Sequence, residues 1–151
     1  MIEAALERYL GLLATLDASR LDALCACFAD DVRFRDPFND VRGRSAARAV
    51  FADMLAQLED LRFAVTARAL EAAPRADGTR VALVTWRLDA RLPRLGGRTW
   101  RVDGSSAIRF DAAGLVCAHV DYWDAAGSLY ERLPVLGGVL RALRRRLAVR
   151  V

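Results

Sequence analysis

An α+β fold, with helices first and an antiparallel meander after them, is what this 151-residue chain predicts. Two observations carry the prediction. Apolar residues recur at helical spacing as far as residue 58, and at a spacing of two from residue 62 onward. The alternating runs are joined by Asp77-Gly78, Gly96-Gly97 and Asp111-Ala112-Ala113-Gly114, which are hairpin connections. The length suits one domain able to bury a core without metal or disulfide support.

The elements follow in order. Ile2, Leu6, Tyr9, Leu10, Leu13 and Leu16 share one face of a helix over residues 2 to 16, with Tyr9 on the apolar side. Ser19 and Asp22 resemble a capping box with aspartate in place of glutamate, opening a second helix whose core side carries Leu21, Leu24, Cys25 and Phe28 and which Asp30-Asp31 end. A short strand from Val32 to Asp36 is halted by Pro37, and Asn39 to Gly43 form a loop. Ser45 is placed to cap a third helix, 46 to 58, with Val50, Phe51, Met54, Leu55 and Leu58 facing inward. Four strands then run over about 62 to 72, 79 to 92, 99 to 110 and 115 to 123.

Composition narrows the function classes. All 23 basic residues are arginine, and the net charge of +4 owes much to a tail of Arg141, Arg144, Arg145, Arg146 and Arg150. The body intersperses acids with arginines, so no nucleic-acid partner is expected. Cys25, Cys27 and Cys117 lack metal or redox spacing and read as reduced thiols, and a single histidine leaves too few ligands for a zinc site. No metal and no cofactor are expected. No apolar run approaches the roughly 20 residues that cross a bilayer, and Met1, Ile2, Glu3, Ala4, Ala5 have no basic region before an apolar stretch, so a cytoplasmic protein is expected.

The strand at 99 to 110 sorts into two faces: Trp100, Val102, Gly104, Ser106, Ile108 and Phe110 against Arg101, Asp103, Ser105 and Arg109. Residues 82 to 92 and 115 to 123 are apolar on both faces, which predicts a homodimer through the outer sheet face. On the last strand His119, Asp121 and Trp123 point one way together. An acid beside the only histidine, with an indole next to both, has the form of a pocket wall.

Phe28-Ala29-Asp30-Asp31, Asp36-Pro37, Gly43-Arg44, Arg109-Phe110 with Gly114, and Asp121-Tyr122-Trp123-Asp124, in this order, resemble the nuclear transport factor 2-like superfamily, including its SnoaL-like, ketosteroid isomerase and limonene-epoxide hydrolase members. The resemblance implies a cone of three N-terminal helices on a strongly curved, mostly antiparallel sheet enclosing a lipophilic small-molecule pocket. It covers residues 1 to 131 and leaves 132 to 151 as a basic helical extension.

Similarity to limonene-type epoxide hydrolases implies Asp121 as the base that activates water, Asp89 as the acid, and Arg87 as the bridge between them. Two carboxylates sharing one arginine cannot ionise equally, so one serves as base and the other as acid. That family's water-positioning tyrosine and asparagine correspond to Phe34 and Asp36, a departure that leaves Asp36 to orient water or share the base role. Similarity to ketosteroid isomerases implies instead Asp36 as proton-abstracting base and Tyr9 as oxyanion donor, with Ser106 where that family has a protonated aspartate. Polyketide cyclase-like chemistry and a non-catalytic binding module are further alternatives. Tyr9, Phe34, Ser106, His119 and Trp123 are expected to line the pocket.

The tail from Leu129 to Leu147 has helical spacing broken by Pro134 and Gly137-Gly138. Three placements are open to it: a lid over the pocket, an anchor on an anionic membrane surface, or a helix docked on its own domain with a solvated arginine face. The last is expected.

Overall fold

The computed structural model describes residues 1–149; Arg150, counted above with the tail arginines, lies outside the described residues. Helices α1 (Ile2–Ala14), α2 (Leu21–Cys25) and α3 (Arg44–Gln57) precede the meander, as the change of period implies. The sheet comprises β1 (Phe28–Arg35), β2 (Asp40–Arg42), β3 (Glu59–Leu70), β4 (Arg80–Leu92), β5 (Arg98–Phe110) and β6 (Val116–Trp123), in the spatial order β2-β1-β6-β5-β4-β3. The mixed α+β architecture with a curved sheet agrees with expectation. A short α4 (Ala125–Ser128), a turn at Tyr130–Arg132 and α5 (Leu136–Leu147) follow.

Several local readings need correction. Phe28 opens β1 rather than closing α2, because the chain leaves the helix at Ala26 and Phe28 is fully buried beneath Tyr9 and Phe51. The Ser19/Asp22 capping box does not form. Asp17 instead accepts from the Ser19 and Arg20 amides at 2.8 and 3.1 Å, making a side-chain turn before α2. Ser45 lies inside α3, whose cap is Gly43 at φ +93°, a backbone conformation that suits glycine. The expected loop at 39 to 43 contains the edge strand β2, paired antiparallel with β1. β1 also runs parallel to β6, with Phe34 beside His119. That pairing joins elements some 85 residues apart and leaves no mark in local spacing.

Alternation assigns the faces of β4 and β5. Ala82, Val84, Trp86, Leu88 and Ala90 are buried, as are Trp100, Val102, Ser106, Ile108 and Phe110. In β6 a bulge at Cys117, opposite Arg109 and Phe110, shifts the alternation by one, so both Val116 and His119 reach the core. This explains why residues 115 to 123 read as apolar on both faces. The outer face is more polar than expected: Leu83 and Tyr122 are exposed at 60% and 52%, amid cross-strand pairs of Arg87 with Asp103 and Arg101 with Asp89.

Gly104 decides how the concave face packs. It lies directly opposite Trp86, and a Cβ there would stand 2.4 Å from the indole ring. Glycine lets that ring lie flat on β5, edged by Phe63 at a centroid distance of 5.4 Å. Gly104→Ala is therefore expected to displace Trp86 and destabilise the fold by about 1–3 kcal/mol, measured by urea unfolding.

Candidate functional site

The helices and the concave face of the sheet enclose a cavity of about 230 Å³. Its walls are predominantly apolar and include Phe34, Phe51, Phe63, Trp86, Trp100 and Trp123. The aromatic walls brace one another: Phe34 on Phe51 at 5.0 Å, Trp123 on Trp100 at 5.6 Å and on Phe38 at 5.3 Å, centroid to centroid. Edge-to-face and tilted contacts of this kind fix ring positions as well as bury area.

Asp36, Asn39, Asp53 and Gln57 also line the cavity, and a further polar system is centred on Asp121. Asp121 enters the cavity from the middle of β6, its side chain 18% exposed. Its Oδ1 lies 2.7 Å from His119 Nε2 and 2.5 Å from Ser106 Oγ. Both neighbours are placed by the sheet: His119 is two residues back on the same face of β6, and Ser106 sits directly opposite Asp121 on β5. Behind them lies a second rank of donors. The Tyr9 hydroxyl is 2.7 Å from His119 Nδ1, and the Trp86 indole N–H donates to Ser106 Oγ at 2.8 Å.

The chemistry of these groups sets the direction of every bond. An indole N–H can only donate, so the Ser106 oxygen accepts from Trp86 and gives its own proton to the carboxylate. With Asp121 ionised and His119 neutral, the imidazole donates from Nε2 to the carboxylate and its Nδ1 accepts from the Tyr9 hydroxyl. Two chains of donors thus converge on one oxygen of Asp121. Among the described residues the other oxygen, Oδ2, has no hydrogen-bond partner. Burial, and secondarily the Asp121 charge, hold the Tyr9 hydroxyl well above the ordinary tyrosine range, so it remains a proton donor at any working pH.

The expected site residues separate into three groups. Phe34, His119, Trp123, Asp121 and Asp36 all line the cavity. Tyr9 and Ser106 do not: fully and almost fully buried, they stand behind His119 and Asp121, which excludes the direct oxyanion contact expected of Tyr9. Arg87 and Asp89 lie on the opposite side of the sheet. Their odd-numbered positions on β4 share the convex face, where Arg87 meets Asp103 at 2.8 Å and Asp89 meets Arg101 at 2.6 Å. The inward pair at that level of β4 is Trp86 and Leu88. The bridge-and-acid arrangement expected of Arg87 and Asp89 is therefore absent from the pocket.

Asp36 is occupied as well. Its Oδ1 accepts from the Phe38 and Asn39 amides, both at 2.7 Å, and its carboxylate also holds the Asn39 side chain. It braces the turn that carries Phe38 to the cavity rim. Sequence reasoning missed Trp86 as a donor and Trp100 as a wall. Both sit at inward positions of runs that alternate visibly, but their partners follow only from the β4–β5 register. The Trp100 Nε1 is buried with no hydrogen-bond partner among the described residues.

Comparisons with known proteins agree with this architecture. A crystal structure of a nuclear transport factor 2-like protein of unknown function from an Exiguobacterium species superposes with a TM-score of 0.63 at 19% identity, covering 80% of this chain and 98% of that one. An epoxide hydrolase/cyclase-like enzyme of pyran ring formation in the polyether salinomycin gives a TM-score of 0.65 at 13% identity, covering 82% and 90%. A protein with a ketosteroid isomerase-like fold from Catenulispora acidiphila, solved in complex with trimethylamine, gives 0.64 at 15% identity, covering 83% and 88%. At these identities the likeness establishes the fold alone. No curated protein matches the chain in sequence. The sequence profile of the SnoaL-like domain matches residues 7–119, well over half of the chain and most of the residues that build the cavity, and the chain belongs to the SnoaL-like family.

Proposed function

We propose that this protein is a cofactor-independent acid/base enzyme acting on a small lipophilic carbonyl compound, in the manner of an isomerase or cyclase, with Asp121 as the proton-transferring group. The observation that carries this reading is the asymmetry of Asp121. One oxygen is pinned by His119 and Ser106, and the other, on a residue lining a mostly apolar cavity, has no hydrogen-bond partner among the described residues. A carboxylate so held can take a proton from the carbon next to a carbonyl, and the C–H electron pair then moves into the enolate. Returning the proton to a different carbon isomerises the substrate; attack of the enolate on a second carbonyl of the same molecule closes a ring. A volume of about 230 Å³ lies below the roughly 300–1,000 Å³ usual for drug-sized ligands, which favours a substrate of one or two rings.

Epoxide hydration, the first expectation from sequence, keeps Asp121 as the water-activating base. It has lost its acid and bridge, because Asp89 and Arg87 face away from the cavity. Ketone chemistry is thus the better supported reading. A homodimer through the outer sheet face belongs to the same proposal, supported by the exposed Leu83 and Tyr122. Equilibrium sedimentation is expected to give twice the chain mass, and Leu83→Arg with Tyr122→Arg is expected to return it to the single-chain value.

Turnover of a panel of small β,γ-unsaturated ketones, followed by the absorbance of the conjugated product, tests the catalytic reading. Asp121→Asn is expected to lower kcat by about 10²-fold or more. Arg87→Gln should leave turnover unchanged. Full activity in Asp121→Asn, or turnover confined to epoxides, would overturn the proposal. Tyr9→Phe leaves the buried His119 Nδ1 without a donor, and a loss of about 1–3 kcal/mol in urea unfolding is expected.

A further inference from the structure

We propose that α5 is an interfacial anchor that docks on an anionic lipid surface by its free apolar stripe. The helix carries two distinct faces. Gly137, Arg141 and Arg144, spaced four and three residues apart, form the face turned toward its own domain. Gly137 passes so close to the Glu131 carbonyl that no side chain fits there, Arg141 donates to that carbonyl, and Arg144 pairs with the Glu131 carboxylate at 2.8 Å. Leu140 is half-buried beside Gly137, and the arginines of α5 remain exposed, so the helix docks on its own domain with a solvated arginine face and leaves most of its apolar residues uncovered.

Leu136, Val139, Leu143 and Leu147, spaced three and four residues apart, form the second face. They are exposed at 45, 61, 52 and 78%. A row of four exposed aliphatic side chains along one helix face is costly in water and unlike the scattered apolar residues of an ordinary surface.

Charge identifies the occupant. α5 contains four arginines and no acid, and Arg144 and Arg146 flank the stripe on either side. A second copy of this helix would bring two arginine rows together with nothing to neutralise them. A nucleic acid would engage the arginines and leave the aliphatic stripe in water. An anionic bilayer surface satisfies both, taking the stripe into the headgroup and acyl boundary and the arginines among the phosphates. No helix among the described residues is long and apolar enough to cross a membrane, so the contact is superficial.

Placement gives the anchor a purpose. The segment that holds α5 also supplies Leu129 to the cavity lining and Tyr130 to the rim, against Phe38 at 6.1 Å. A lipid surface bound by α5 therefore lies beside an apolar cavity, a short path for a ligand dissolved in the bilayer. The anchoring itself does not depend on the chemistry at Asp121.

Co-sedimentation of the full chain with phosphatidylcholine vesicles, with and without phosphatidylglycerol, tests the inference at moderate salt. The chain is expected to pellet with the phosphatidylglycerol vesicles and to stay in solution with phosphatidylcholine alone. Leu143→Gln with Leu147→Gln, at exposed positions that leave folding intact, is expected to weaken binding by about tenfold or more. Arg145→Gln with Arg146→Gln should do the same. Failure to pellet, pelleting unaffected by the leucine pair, or tighter binding to duplex DNA than to the vesicles would each overturn it.

Discussion

The hydrogen bonds from His119 and Ser106 to a single oxygen of Asp121 are the constraint on which the rest of the site depends. A carboxylate in an apolar cavity is expensive unless donors surround it, and each donor brought in becomes a buried polar group with needs of its own. Ser106 requires a donor for its oxygen and receives one from Trp86; His119 requires one for Nδ1 and receives one from Tyr9. The network closes only there, on two groups whose outer neighbours are apolar. One charged atom thereby fixes residues on α1, β4, β5 and β6.

Backbone geometry makes that closure possible. Trp86 reaches Ser106 because Gly104, directly opposite it, leaves room for the indole. Tyr9 reaches His119 because α1 crosses the concave face beside Phe28 and Phe110. His119 faces inward three residues after Val116 because Cys117 forms a bulge. A one-residue slip at any of these places would turn a donor outward and leave the carboxylate unsatisfied.

The helices and the four long strands were legible because amphipathic period is a local property, and so was the shared direction of His119, Asp121 and Trp123. The errors have physical causes. The direction of Arg87 and Asp89 is not legible because charges on a strand with two apolar faces carry no sign of direction, and only pairing with Asp103 and Arg101 supplies it. A two-residue turn at Gly96-Gly97 would pair Leu95 with Arg98; the chain instead turns through Pro93–Leu95 and pairs Leu92 with Arg98. That choice sets Trp86 against Gly104 and within reach of Ser106. Tyr9 and Ser106, expected as cavity walls, stand in the layer behind it, a difference of depth that sequence does not record. Gly137, rather than a leucine, makes the closest approach of α5 to its own domain, which leaves Leu136, Val139, Leu143 and Leu147 exposed.

Sequence by itself determined the α+β class, the order of the elements, the inward face of β5 and β6, and Asp121 as the acid most in need of an explanation. These follow from periods of 3.6 and 2 and from the cost of a charge in an apolar run, all of which act within a few residues. Tertiary structure alone decided which face of β4 meets the cavity, which donors reach Asp121, and which side of α5 is left uncovered. Those depend on register, bulges and close approach between segments distant in the chain, where a shift of one residue reverses direction and no local pattern records the outcome.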